Sequence, residues 1–254
     1  MHWLIVTTDS DTSIPYFIES RENIDAIKYG DPLPSSFDYE VVYFRDPFNT
    51  GEYNIQVIQD MVMGVVKRYP QAYFVDGIKS YDELMIEDKW RQYEKLEAFM
   101  PPSSLLTKKS ELNGEKIAKK RVSARARDIA FIPEDIDGEV SEYVLQDRLN
   151  ITREYRVFSI GSKVLPITAV KSPKTPIARV KVQAEISTPA PLETFTRKIL
   201  TELPEYDFLG FDIAETEAGY VLIEVNRSPQ FKRYNEIGKM NIALDVIRHV
   251  EGKI

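Results

Sequence analysis

The sequence predicts a small α/β domain followed by a larger α+β domain, and three observations carry that prediction. Over about the first 90 of 254 residues, strand-like and helix-like runs alternate, the pattern of a parallel sheet with helices on its faces. From about residue 88 the alternation gives way to consecutive strand-like runs, the pattern of antiparallel pairing. Near the end, the apolar runs FLGFDIAE and YVLIEVN carry Asp212, Glu224 and Asn226 where a strand favours Val or Ile.

In chain order, WLIVT reads as the first strand, followed by an irregular stretch in which DPLPSS is a loop, because proline interrupts both periodicities. EVVYFR is a second strand, RDPFNTGEY a loop, NIQVIQDMVMGVVKRYP a helix and AYFVDG a short apolar strand. A helix over DKWRQYEKLEAFM must stop at Pro101-Pro102, since proline pushes its predecessor out of the helical region. TKKSELNG is a short helix closed by Gly114, and EKIAKK and RDIAFIP are strands. EYVLQDRL, EYRVFSIG and KVLPITAVK follow as strands with expected antiparallel pairing and a Gly161-Ser162 turn between the last two. KSPKTPIARVKV reads as a loop, LETFTRKILTEL as an amphipathic helix, and NIALDVIRHV as the closing helix. This order places a small α/β domain at 1–87 and a second domain at 88–254.

With 43% hydrophobic and 29% charged residues, the composition is that of an ordinary globular protein. The absence of cysteine excludes disulfides, thiolate catalysis and zinc–thiolate sites, and fits a reducing cytoplasm. The opening MHWLIVTTDSD has too short an apolar run for a signal peptide or membrane span, so a cytoplasmic location is expected. A net charge of −7 argues against broad nucleic-acid binding. The basic run from Lys108 to Arg127 stands apart as either a solvated face or a clamp for a polyphosphate.

Side chains alternate faces along a strand, so Glu224 and Asn226 share one face. If the two runs form a hairpin with the loop Glu217-Ala218-Gly219, Thr216 faces Tyr220 and Asp212 faces Glu224. Opposed carboxylates cost roughly 0.2–1 kcal/mol, and a cation between them removes the cost. Two carboxylates and an amide oxygen, without His or Cys, form a hard-oxygen set suited to Mg²⁺. A solvated hairpin face is the plain alternative.

Taken together, these parts resemble the ATP-grasp superfamily, most closely its RimK-like carboxylate–amine ligases, in matching order from about Asp88 to the C-terminus. The resemblance implies an ATP-grasp fold, two α+β subdomains at 88–147 and 148–254 gripping ATP, preceded by a small α/β domain. Lys89 of the Asp88-Lys89 pair and Lys119, with Lys120 as its competitor, would reach the nucleotide phosphates. Ser123 and Arg125 belong to the loop over the triphosphate. Gln146, Asp147 and Arg148 correspond to the adenine-binding hinge, Glu154 to the ribose acid, Arg156 to an arginine near the phosphates or the acyl group, and Lys171 to a basic residue by the transferring phosphate. Asp212, Glu224 and Asn226 match the family's metal ligands, and Arg227-Ser228-Pro229 continues its Asn-x-Ser-Pro signature. Two positions depart from the pattern: the loop VSARARD has no glycine, and Gln230 stands where glycine usually follows Ser-Pro.

The resemblance implies ATP and Mg²⁺ or Mn²⁺ as cofactors, a carboxylate and an amine as substrates, and an acylphosphate intermediate with release of ADP. No membrane partner is expected, and oligomeric state and the substrates' identities stay open. A phosphotransferase on the same scaffold and a nucleotide-binding pseudoenzyme are the rival readings, the latter motivated by the missing glycines.

Overall fold

Three sheets surround a central cleft in the computed structural model, which describes residues 1–35, 38–48, 54–123, 129–171, 182–238 and 240–254, with backbone alone at 171, 182–185 and 237. The first sheet is parallel in the order β2-β1-β3-β4, from β1 (Trp3–Thr7), β2 (Ile24–Lys28), β3 (Val41–Phe44) and β4 (Tyr73–Phe74). Period-2 alternation sends Trp3, Ile5, Val41 and Tyr43 to one face and Leu4, Val6, Val42 and Phe44 to the other. The first face covers Phe17 of α1 (Ile14–Ser20); the second covers Ile58, Met61, Val62 and Val65 of α2 (Ile55–Arg68).

The stretch expected to be irregular therefore contains α1 and β2. Pro15 is accommodated in the first turn of α1, where its missing N–H would have no partner anyway.

After α3 (Tyr81–Leu84), Asp88 caps α4 (Lys89–Leu96) by accepting from Trp90 N–H at 2.8 Å. The second sheet follows, in the order β5-β8-β6-β7, from β5 (Ser103–Leu105), β6 (Lys116–Lys120), β7 (Ile129–Ala130) and β8 (Tyr143–Asp147). TKKSELNG forms only a 3-10 turn at Lys109–Glu111, with Gly114 at φ 86°.

The third sheet contains β9 (Arg153–Ile160), β10 (Lys163–Val164), β11 (Ile167–Lys171) and β12 (Val182–Ser187). Helix α5 (Ala190–Leu200) follows, then β13 (Phe208–Thr216), β14 (Gly219–Asn226), α6 (Lys232–Gly238) and α7 (Ile242–Glu251). Its order is β12-β11-β9-β13-β14, with β10 on β9. KVLPITAVK thus splits around Pro166, and β8 and β9 enter different sheets. KSPKTPIARVKV, read as a loop, ends within β12.

Tyr155, Val157, Phe211 and Ile213 pack onto Leu192 and Ile199 of α5 and Leu96 of α4. On the opposite face, Phe158, Ile160 and Phe208 join Trp3, Ile5, Val41 and Tyr43 in one core with Val246, Ile247 and Val250 of α7. The N-terminal sheet and the third sheet are therefore fused by apolar packing. At the other end of that face, Arg156 and Asp212 look into the cleft.

Candidate active site

The β13–β14 hairpin builds the acidic wall. Asp212 pairs with Glu224, and Gly210 with Asn226. The turn is one residue shorter than expected, because Thr216 pairs with Gly219 across Glu217-Ala218. Ile223 then bulges between the Ile213↔Leu222 and Asp212↔Glu224 pairs, which restores the expected opposition. Gly219 sits at φ 121°, and Gly210 has no room for a side chain: a Cβ there would lie 2.6 Å from Pro229 Cβ.

Cations already stand against these acids. Arg156, the cross-strand neighbour of Asp212, donates to it from Nε and Nη2, both at 2.5 Å. Lys89 Nζ lies 3.7 Å from Glu224 Oε1 and donates to the Ser123 carbonyl at 2.8 Å. Lys119 projects from the second sheet and is buried, and burial holds its ammonium down at about 8 although Glu224, Glu154 and Asp212 favour the charge. Lys120 points the other way, with Nζ 3.3 Å from Glu142. Of the two candidate lysines, the cleft receives Lys119.

The remaining expected residues are more dispersed. Gln146 is buried and donates to Ser103 Oγ at 3.1 Å, Asp147 pairs with Lys116 at 2.7 Å, and Arg148 is exposed. Glu154 lies two residues before Arg156 and pairs in register with Ala214 and Lys171. Arg125 and most of VSARARD lie outside the described residues, as does the side chain of Lys171.

Gln92 is a site residue that sequence reasoning missed. It is 1% exposed, and its amide closes both main-chain groups of Val225: Nε2 donates to the carbonyl at 2.7 Å and Val225 N–H donates to Oε1 at 2.9 Å. The second Nε2 hydrogen goes to the Ile86 carbonyl at 2.9 Å. Gln92 thus completes the outer edge of β14 between Glu224 and Asn226, as a neighbouring strand would. Its signal was a polar residue four positions before Leu96, on the buried stripe of α4.

A second charged cluster, also missed, closes the carboxyl ends of β3 and β4. Arg45 donates from Nε to Asp11 at 2.7 Å and reaches the Pro229 carbonyl at 3.4 Å. Arg227 donates to the Phe44 carbonyl and lies 3.5 Å from Asp76 and 3.7 Å from Glu87. Asp46 and Asp76 sit at φ 52° and 61°, a left-handed conformation that Asp tolerates better than most residues. Burial pushes the Asp76 carboxyl up to about 6 against the pull of Arg227, and Asp207 adds to the rise. Gln230 bridges this region, accepting from Thr12 Oγ1 at 2.8 Å and donating to Ser10 O at 3.1 Å and Asp46 Oδ2 at 3.4 Å.

The donor set fits a hard divalent cation. Two opposed carboxylates stand beside Asn226, whose buried Nδ2 has no hydrogen-bond partner. At this level amide nitrogen and oxygen are interchangeable by a flip, so the orphaned end can present its oxygen to a cation. Among the described residues, no three His, Cys, Asp or Glu side chains form a metal cage by themselves, consistent with a site that borrows ligands from phosphate and water.

Residues 149–250 match the family model of the RimK-like ATP-grasp domain, while no curated protein matches the chain. Solved structures match over nearly the whole length. The ATP-grasp ligase PsnB complexed with a minimal precursor superposes with a TM-score of 0.69 at 14% identity, covering 100% of both chains. D-cycloserine synthetase DcsG gives 0.71 at 12% identity over 99% of both chains. D-alanine–D-alanine ligase from Bacillus anthracis gives 0.65 at 13% identity over 99% of this chain and 96% of that one. The chain has the ATP-grasp fold. The similarity to the RimK-like ATP-grasp domain lies at residues 149–250 within it. No described helix is long and apolar enough to cross a membrane.

Proposed function

We propose that the protein is an ATP- and Mg²⁺-dependent carboxylate–amine ligase that forms an amide through an acylphosphate and releases ADP. The observation that carries this reading is the cleft itself: Asp212 and Glu224 opposed on one wall, with Lys89, Lys119 and Arg156 converging on them. It is supported by the RimK-like match and by PsnB structures that contain Mg, ADP and a precursor peptide.

A substrate carboxylate oxygen attacks the γ-phosphorus of ATP, and the bond to the ADP oxygen breaks. An amine nitrogen then attacks the acyl carbon; the bond to phosphate breaks, inorganic phosphate leaves and the nitrogen gives up a proton. Such transfers depend on positioning and charge neutralisation. Lys119 and Lys89 hold the phosphates, and Arg156 exchanges Asp212 for a phosphoryl or acyl oxygen, with Lys171 beside it in register through Glu154. The second sheet supplies Gln146, Asp147 and Arg148 to adenine, and Glu154 takes the ribose. Lys120, turned toward Glu142, is left out of this set. Asp212, Glu224 and Asn226 would hold Mg²⁺, which would supply positive charge to neutralise the phosphates.

The test is incubation with Mg-ATP, a panel of carboxylic acids and hydroxylamine. ADP together with a hydroxamate is the expected result. AMP in place of ADP, or Mg-ATP binding without ADP release across the panel, overturns it.

A further inference from the structure

Asp46, Glu87, Ser123, Glu224, Asn226 and Ser228 line one pocket at which all three sheets meet. One wall is the proposed metal strand; the other is the carboxyl end of the N-terminal sheet and the segment entering α4. Ser228 is 8% exposed, and its Oγ has no hydrogen-bond partner. A buried hydroxyl without a partner costs about 1–3 kcal/mol, which a polar group or a water placed in this pocket relieves.

The charge of the wall identifies the group. The Arg227 guanidinium serves both Asp76 and Glu87, and its Nε has no hydrogen-bond partner, so it holds Glu87 at 3.7 Å by charge alone. Its side chain is 20% exposed. Burial raises the Glu87 pKa and Glu224 adds to the rise, against the pull of Arg227, Lys89 and Arg45. Asp46, held by Gln230 at 3.4 Å, adds a second carboxylate to the lining. Glu224 and Asn226 belong to the proposed metal site, which leaves Glu87 and Asp46 as the acids facing a second cation. An ammonium has longer contacts, three hydrogens and no fixed coordination geometry, and suits such a wall.

We infer that this pocket is the amine subsite, where Glu87 and Asp46 attract a primary ammonium group and Ser228 Oγ accepts one of its hydrogens. The inference rests on the ligase reading and sharpens it. Because the pocket also touches Glu224 and Asn226, a nitrogen held there stands beside the proposed site of phosphate chemistry. The same acids would repel a carboxylate on the adjacent carbon. The substrate is therefore an amine whose neighbouring carboxylate is absent or masked, such as a side-chain amine or a peptide amino terminus, and not a free α-amino acid.

Calorimetry on the full chain, with Mg²⁺ and a non-hydrolysable ATP analogue, tests this with glycinamide as probe and glycine and acetamide as controls. Glycinamide is expected to bind at least about tenfold more tightly than either control. Glu87→Gln should weaken glycinamide about tenfold and leave the nucleotide heat unchanged. Should Glu87→Gln fail to fold, Asp46→Asn, which tolerates the positive φ, and Ser228→Ala carry the same comparison. Equal binding of glycine and glycinamide, or undiminished glycinamide binding in the folded variants, overturns the subsite. In the unsubstituted protein, no glycinamide heat with the nucleotide heat intact overturns the subsite alone; no nucleotide heat with glycinamide still bound overturns the ligase reading alone.

Discussion

Two clusters of carboxylates flank the cleft, and they are neutralised in opposite ways. On the hairpin, Asp212 and Glu224 are met by Arg156 and Lys89, whose side chains are 20% and 12% exposed. At the carboxyl ends of β3 and β4, Asp11 and Asp76 are met by Arg45 and Arg227, whose side chains are 0% exposed. A cation with access to solvent can swing toward an incoming phosphate and be replaced by a metal ion. A sealed guanidinium has no such exit, and removing it leaves a buried charge without compensation. The first cluster has room to exchange its partners, as the proposed function requires; the second fastens the N-terminal sheet to the Asn226–Pro229 segment.

The contrast is open to breaking by substitution. Glu224→Gln should lower Mg²⁺-dependent ADP formation by about a thousandfold, since it removes a carboxylate charge from the proposed metal site while preserving volume. Its thermal midpoint should move by no more than about 2 °C. A variant with full activity would remove the metal assignment. Arg227→Met should do the reverse, destabilising the fold by about 3–5 kcal/mol in denaturant unfolding, because Asp76 and Glu87 lose their shared partner. A stable Arg227→Met protein with lost turnover would dissolve the distinction between the clusters.

Lys119 and Lys120 repeat the contrast within one strand. Lys119→Met should weaken ADP binding by about a hundredfold, and Lys120→Met by no more than about twofold, as read by calorimetry. Equal effects would mean that the Glu142 ion pair opens on binding. Gln92→Leu leaves the buried Val225 N–H and carbonyl without partners, and about 1–3 kcal/mol of stability should be lost. The apparent Mg²⁺ affinity should fall with it, because the strand between Glu224 and Asn226 loses its edge support.

Legibility in the sequence followed the same division. The hairpin was readable because strand alternation is local: Glu224 and Asn226 share a face whatever the remainder of the chain does. Even the shorter turn did not spoil the expected opposition of Asp212 and Glu224, since the Ile223 bulge offset it. The sealed cluster was unreadable, because Arg45, Asp76 and Arg227 come from three distant segments that only packing brings together. Gln92 was hidden for a related reason: its partners are main-chain groups, which no side-chain pattern reveals. β8 and β9 look alike as strands, and nothing local says that they enter different sheets.

The smallest expected effect concerns protons and separates the exchangeable wall from the sealed one most finely. Burial lowers Lys119 from its ordinary 10.5 to about 8. Between those values the unfolded chain holds a proton that the folded chain has released, so this group destabilises the fold below about pH 8 and the penalty fades as pH rises toward 10.5. A polyphosphate beside Lys119 stabilises the ammonium and raises its pKa. Nucleotide binding at pH 8.5 should therefore take up roughly half a proton, measured as the dependence of Mg-ADP binding heat on the ionisation enthalpy of the buffer. Lys119→Met should abolish the uptake and Lys120→Met should leave it intact. Uptake that survives in Lys119→Met would place the phosphate contact on another group and return Lys119 to a purely structural burial.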